Sequence, residues 1–207
     1  MFDSALLQYL PLVCLLVVIG VVSVQPKYTP IPRPEPPSGF VMALELPQRG
    51  EVARLLASRD AVAAAHASLD WDRWFIVAYT LLFVSFAEFH VGTWRIAMIA
   101  VAIATALCDF WENAVIRSFA NDPEHANDSR VWIPAQLKWF GYFAGIGLIG
   151  VLFLPAEPWR NFAIFAMTVT AIGATAALLR ARVVLERMTF VSLFVILTAV
   201  IGVIVRY

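Results

Sequence analysis

Long apolar runs alternate with short polar or proline-bearing stretches along this chain, and the runs set the predicted elements. Residues 6–24 carry no charge. About 20 apolar residues at 1.5 Å rise cross a hydrocarbon core of about 30 Å, so this run can form one span. Asp3 stands where a signal peptide would carry positive charge, and no small-x-small cleavage site follows, so the run reads as an uncleaved anchor. Residues 25–39 hold Pro26, Pro30, Pro32, Pro34, Pro36 and Pro37. Such density forbids a helix and favours extended polyproline II, here a spacer along the membrane surface. Pro47-Gln-Arg-Gly50 breaks the chain again. Beyond it Val52, Leu55, Leu56 and Val62 recur near helical spacing among Arg54, Arg59 and Asp60. That pattern predicts one amphipathic helix over residues 51–67, at the membrane surface or capping the bundle.

Further apolar runs follow at residues 74–89, 94–116, 132–154, 162–179 and 190–205. The predicted fold is therefore all-α, a polytopic transmembrane bundle of about six spans with one cytoplasmic amphipathic surface helix. Its organisation reads as an anchor span (1–25), a Pro-rich linker with the surface helix (26–69), a three-span core (70–155) and two C-terminal spans (156–207). The Gly141-x-x-x-Gly145 face, followed by Gly147 and Gly150, predicts close helix packing. Lysine and arginine placement orients the spans. Lys27, Arg33, Arg49, Arg54, Arg59, Arg73, Arg117, Arg130, Arg180, Arg182 and Arg187 fall on the side of the Pro-rich loop, against Arg95, Arg160 and Arg206 opposite. The Pro-rich loop is then cytoplasmic and both termini lie outside. Trp71, Trp74, Trp94, Trp132, Trp139 and Trp159 cluster at span ends, as interfacial anchors do.

Composition agrees with this pattern. Of the 207 residues, 61% are hydrophobic and 14% charged, where a soluble domain is nearer half apolar and a quarter charged. Fifteen basic and fifteen acidic residues cancel, which argues against a nucleic-acid partner. Cys14 and Cys108 both lie in apolar runs, so buried free thiols are expected rather than a disulfide framework. His66, His90 and His125 lack ligand spacing, Ser85 lacks a nucleophile elbow, and Cys108 has no histidine near it in sequence. No motif names a cofactor.

One stretch breaks the apolar rule. Thr105-Ala-Leu-Cys-Asp-Phe-Trp-Glu-Asn113 lies inside a predicted span yet holds Asp109, Glu112 and Asn113 at i, i+3 and i+4, on one helix face. An ionisable group there costs about 2.5–3.5 kcal/mol on insertion scales, so two need partners, water or protons. Asp109 lies about 12 Å in from the cytoplasmic end at 1.5 Å per residue. Lys138 enters the next span from the same side by about two turns, and an antiparallel pairing would set it against Asp109 or Glu112. Asp70, Asp72 and Arg73 mark the cytoplasmic start of the preceding span, and Tyr79 lies about two turns inside it. Asp70, Asp109 and Glu112 could offer oxygen ligands to a hard cation, but Lys138 would compete for them, and no metal is expected. A through-membrane proton path needs carboxylates at both faces, and opposite this group only Glu88 is available.

Several of these residues also carry a resemblance. Glu45-Leu46, then Leu69, Asp70, Phe75, Ile76 and Tyr79, then Asp109-x-x-Glu112-Asn113, then Leu137-Lys138-Trp139 resemble a group of small bacterial multipass membrane proteins of unknown function. The likeness covers about residues 41–155. It implies a four-span core with a preceding surface helix, the first span and the last two being additions, and it implies no substrate. The longer aspartate run of the CDP-alcohol phosphotransferases is absent.

Two functions from different classes fit. In the first, a bacterial inner-membrane protein has a cytoplasm-facing pocket walled by Asp70, Tyr79, Asp109, Glu112, Asn113 and Lys138. Its ligand would be a lipid headgroup or small polar molecule. Lys138 would meet an anionic group, and a carboxylate raised in pKa by burial could act as base. Enzyme and binding protein both remain open. In the second, a structural or accessory subunit closes the same charges into a salt-bridge network and docks a membrane protein partner through the Pro-rich loop and surface helix.

Overall fold

The computed structural model describes residues 7–24, 40–48 and 50–206. The expected Pro-rich spacer, with Lys27 and Arg33, lies outside the described residues, as does Arg49. The helices are α1 (Leu10–Val24), α2 (Phe40–Glu45), α3 (Glu51–Leu55), α4 (Arg59–Ala87), α5 (Thr93–Asn121), α6 (Asp128–Phe153), α7 (Arg160–Leu178) and α8 (Arg182–Arg206), with one 3₁₀ turn at Pro123–His125. Among the described residues there is no strand. Helices α5, α6, α7 and α8 are long and apolar enough to cross a membrane. The 29 residues of α5 extend about 44 Å. Helix α1 is apolar throughout but has 15 residues, about 22 Å. The first half of α4 holds Asp60, Asp70, Asp72 and Arg73, which keeps that helix apart from the four.

The single surface helix expected over residues 51–67 does not form. Helix α3 ends at Leu55, and a new helix starts at Arg59. The Ser58 hydroxyl accepts from the Ala61 N–H at 3.1 Å, a side-chain N-cap that satisfies an otherwise unpaired donor. No proline or glycine interrupts residues 59–87, so α4 runs unbroken through the predicted span at 74–89. The expected division between residues 69 and 70 therefore falls inside one helix. Helix α3 is held from afar: the Asp128 carboxylate, at the start of α6, accepts from the Gly50 and Val52 N–H groups. A carboxylate at a helix N-terminus is stabilised there by the helix dipole.

Consecutive long helices pack as neighbours from α4 to α8, and α1 lies against α4. Small residues set the approach. A Cβ on Gly141 would come within 2.2 Å of Thr105 Oγ1 on α5, and one on Gly145 within 3.1 Å of the Phe83 ring on α4. Gly147 and Gly150 face Thr170 and Ala166 on α7 instead. The glycine face thus serves three neighbours, and its packing role is that of small-residue helix interfaces. Large apolar side chains point outward, among them Ile96, Leu107, Phe190 and Phe194. An exterior this apolar suits hydrocarbon and would be unusual on a soluble monomer.

Candidate functional site

Helix α5 carries Asp109 and Glu112 inward, 4% and 0% exposed, and α6 brings Lys138 to them at 6%. The Lys138 ammonium stands 2.5 Å from Glu112 Oε2, 3.0 Å from Glu45 Oε1 and 3.4 Å from Asp109 Oδ1. Tyr79 of α4 donates its hydroxyl to Asp109 Oδ2 at 3.0 Å. Asn113 donates to Asp72 Oδ2 at 2.6 Å. The structure thus joins Tyr79, Asp109, Glu112, Asn113 and Lys138 in one group, with α5 and α6 antiparallel. An ammonium has three N–H bonds, and three carboxylates already surround this one. An anionic ligand of the kind anticipated from the sequence would therefore approach Lys138 among three carboxylates.

Asp70 does not join the group. Its Oδ1 meets Arg73 at 2.7 Å and Arg117 at 2.8 Å, and its side chain is 49% exposed. The Arg117 hydrogen bond, with the charges of both arginines, holds its carboxyl below the usual range. Asp72 takes the place expected of Asp70. Two residues turn a helix by about 200°, so the two carboxylates leave α4 on opposite faces. Asp72 shares the stripe of Phe75, Ile76 and Tyr79 at i+3, i+4 and i+7. That spacing was available in the sequence: once Tyr79 was placed inward, Asp72 had to accompany it. Glu45 was the other omission. It closes a short helix, α2; in the sequence it stood within the resemblance and as a carboxylate ending the apolar run Phe40-Val-Met-Ala-Leu44, and neither placed it in the pocket.

A cavity of about 300 Å³ opens beside the group. Glu45, Asp72, Asp109, Lys138 and Tyr79 form its polar end. Its apolar walls are Leu15, Val18 and Val22 from α1 and Phe190, Leu193 and Ile196 from α8. Glu112 lies behind Lys138, and neither it nor Asn113 borders the cavity. Among the described residues, no three of His, Cys, Asp and Glu are placed to enclose a metal ion.

A second, wider groove of about 720 Å³ lies between Leu46, Pro47, Gln48 and Glu51, Trp132 and the start of α8. Its contacts tie the polar connections together. The Trp132 indole donates to the Pro47 carbonyl at 3.1 Å, Arg180 sits 3.6 Å from the centre of the Trp132 ring, and Arg182 pairs with Glu51. Burial raises the Glu51 carboxyl, but hydrogen bonds from Arg182 and Gln48 outweigh it and leave it below the usual range. These groups are already paired with one another, so the groove is a joint between elements.

No family model, curated protein or solved structure matches the chain.

Proposed function

We propose that this chain is a six-span protein of a bacterial inner membrane whose cytoplasm-facing pocket binds or processes a lipid headgroup or small polar molecule. Helix α1 and the second half of α4 would supply the two spans beyond α5–α8. One observation carries the pocket reading: a cavity of about 300 Å³ joins the charged end at Asp72, Asp109 and Lys138 to the apolar walls of α1 and α8. That volume is at the lower end of ligand sites, which combine apolar walls with a few convergent polar groups. The orientation rests on the positive-inside bias. Contacts of Pro47 with Trp132, Val52 with Asp128, Glu51 with Arg182 and Trp132 with Arg180 gather Arg54, Arg59, Arg130, Arg180 and Arg182 towards one end, whereas Arg95, Arg160 and Arg206 belong to the other.

The competing reading is an accessory subunit with a closed charge network. In its favour, Lys138 finds all its partners within the chain. Against it, a closed network needs no cavity at its edge. The deciding measurement is native mass spectrometry of the protein released from lipid nanodiscs. The wild type is expected to retain a small molecule or lipid. Leu193→Trp, which fills the seam from the exposed side of α8, is expected to lose it while keeping the wild-type helical content by circular dichroism. Equal retention by both, or none by either, would leave the accessory-subunit reading standing.

A further inference from the structure

The polar group holds more acceptors than donors. Glu45, Asp72, Asp109 and Glu112 stand against Lys138, the one cation among the described residues of the group, which is ion-paired with Glu45, Asp109 and Glu112. Both oxygens of Glu112 lack a hydrogen bond, and so does one oxygen each of Glu45 and Asp109, the two that border the cavity. Asp109, 4% exposed, has an Oδ1 that accepts no hydrogen bond, because the ammonium at 3.4 Å is beyond ordinary N–H···O length. Asp72 borders the same space with only the Asn113 amide on its Oδ2. Buried carboxylates without compensation are costly, so a guest at this end gains most by bringing positive charge and N–H donors.

The side walls fit the same guest. Phe75, Tyr79, Phe83, Tyr142 and Trp139 form a continuous arc around the cavity, with successive ring centres 5.3, 6.2, 5.7 and 5.9 Å apart. Aromatic faces attract ammonium ions, an interaction strengthened where water is excluded. The remaining wall is mostly apolar, with Thr105 and Thr189 in it, and reaches the outer surface of the bundle, where Val22, Phe190 and Leu193 are exposed. At about 30 Å³ per water, 300 Å³ matches roughly ten waters. That is room for a headgroup and the start of a chain.

We infer that the cavity receives, from the bilayer side between α1 and α8, the primary ammonium headgroup of an amphiphile, with Asp72, Asp109 and Glu45 as its acceptors and the aromatic arc around it. This rests on the pocket reading above and narrows its ligand class to cations carrying an alkyl chain.

The test uses the full chain in maltoside micelles, with thermal stability and tryptophan fluorescence titrated against dodecylamine, sodium dodecanoate, dodecanol and butylamine. Dodecylamine is expected to stabilise saturably, because a ligand that binds only the folded state raises its unfolding temperature. Asp72→Asn and Glu45→Gln should each weaken it by about tenfold or more, the size of a lost charge-assisted hydrogen bond. Asp70→Asn, on the outer face of α4, should leave it unchanged. Dodecanoate or dodecanol binding as tightly as dodecylamine would overturn the ammonium inference and keep the pocket. Butylamine binding as tightly would overturn the requirement for a chain. Dodecylamine affinity unchanged in both carboxylate variants would remove the group as its seat. If none of the four probes binds and Leu193→Trp behaves as wild type throughout, the pocket reading fails too.

Discussion

At the scale of single residues, the site is a study in unequal charges. Among the described residues Lys138 is the one cation among four carboxylates, so its removal and the removal of an acid are not equivalent. Lys138→Met leaves Glu45, Asp109 and Glu112 facing one another without a counter-charge. Breaking a buried pair this way costs about 3–5 kcal/mol. Glu112→Gln keeps the shape and an acceptor for the ammonium while reducing the acidic excess. We expect it to cost less than about 1.5 kcal/mol, near the net worth of one hydrogen bond. Thermal unfolding of both variants in one detergent checks this; equal losses would contradict the excess-acid description. Asp109, Glu112 and Lys138 were legible in the sequence because an ionisable side chain inside an apolar run is conspicuous. Glu45 and Asp72 were named but left out of the pocket, because both sit at the edges of such runs, where charge is ordinary.

At the scale of elements, the helices follow local chemistry, and their joints follow small residues. Ser58 as an N-cap explains why the polar stretch before the second apolar run does not lie apart as its own helix. The apolar periodicity of residues 51–67 was real, but periodicity continues across a break of three residues as readily as through a helix. The glycines can be ranked only with the neighbours known. A Cβ on Gly173 would meet the buried Phe143 ring at 2.3 Å, whereas one on Gly20 would meet nothing within 4 Å. Gly173→Ala is therefore expected to destabilise by about 1–3 kcal/mol, the usual cost of overpacking a filled interface. Gly20→Ala, exposed on α1, should be neutral or stabilising by up to about 1 kcal/mol through helix propensity. Chemical unfolding of the pair checks the contrast, and a loss for Gly20→Ala matching that for Gly173→Ala would refute it.

At the scale of the whole molecule, the proposed orientation sets residues 122–127 and residues 155–159 on opposite faces of the membrane. Glu124 and Glu157 are exposed in those two connections. In intact cells, a membrane-impermeant maleimide should label Glu157→Cys and should reach Glu124→Cys only after permeabilisation; the opposite pattern would invert the orientation. The helical character and the four long apolar helices were written in the chain itself. Run length and period are local properties, and backbone groups in hydrocarbon must be satisfied within the segment. The presence of buried charge in α5 and α6 was equally local. Tertiary structure alone decided the rest. It brought the face of α4 that carries Tyr79 and Asp72 against α5. Glu45 reached Lys138 only because α2 folds against α5 and α6. The cavity exists only where α1 and α8, from the two ends of the chain, stand beside the same charged group. Such a juxtaposition of distant segments leaves no periodic trace along the sequence, because it is produced by packing between helices.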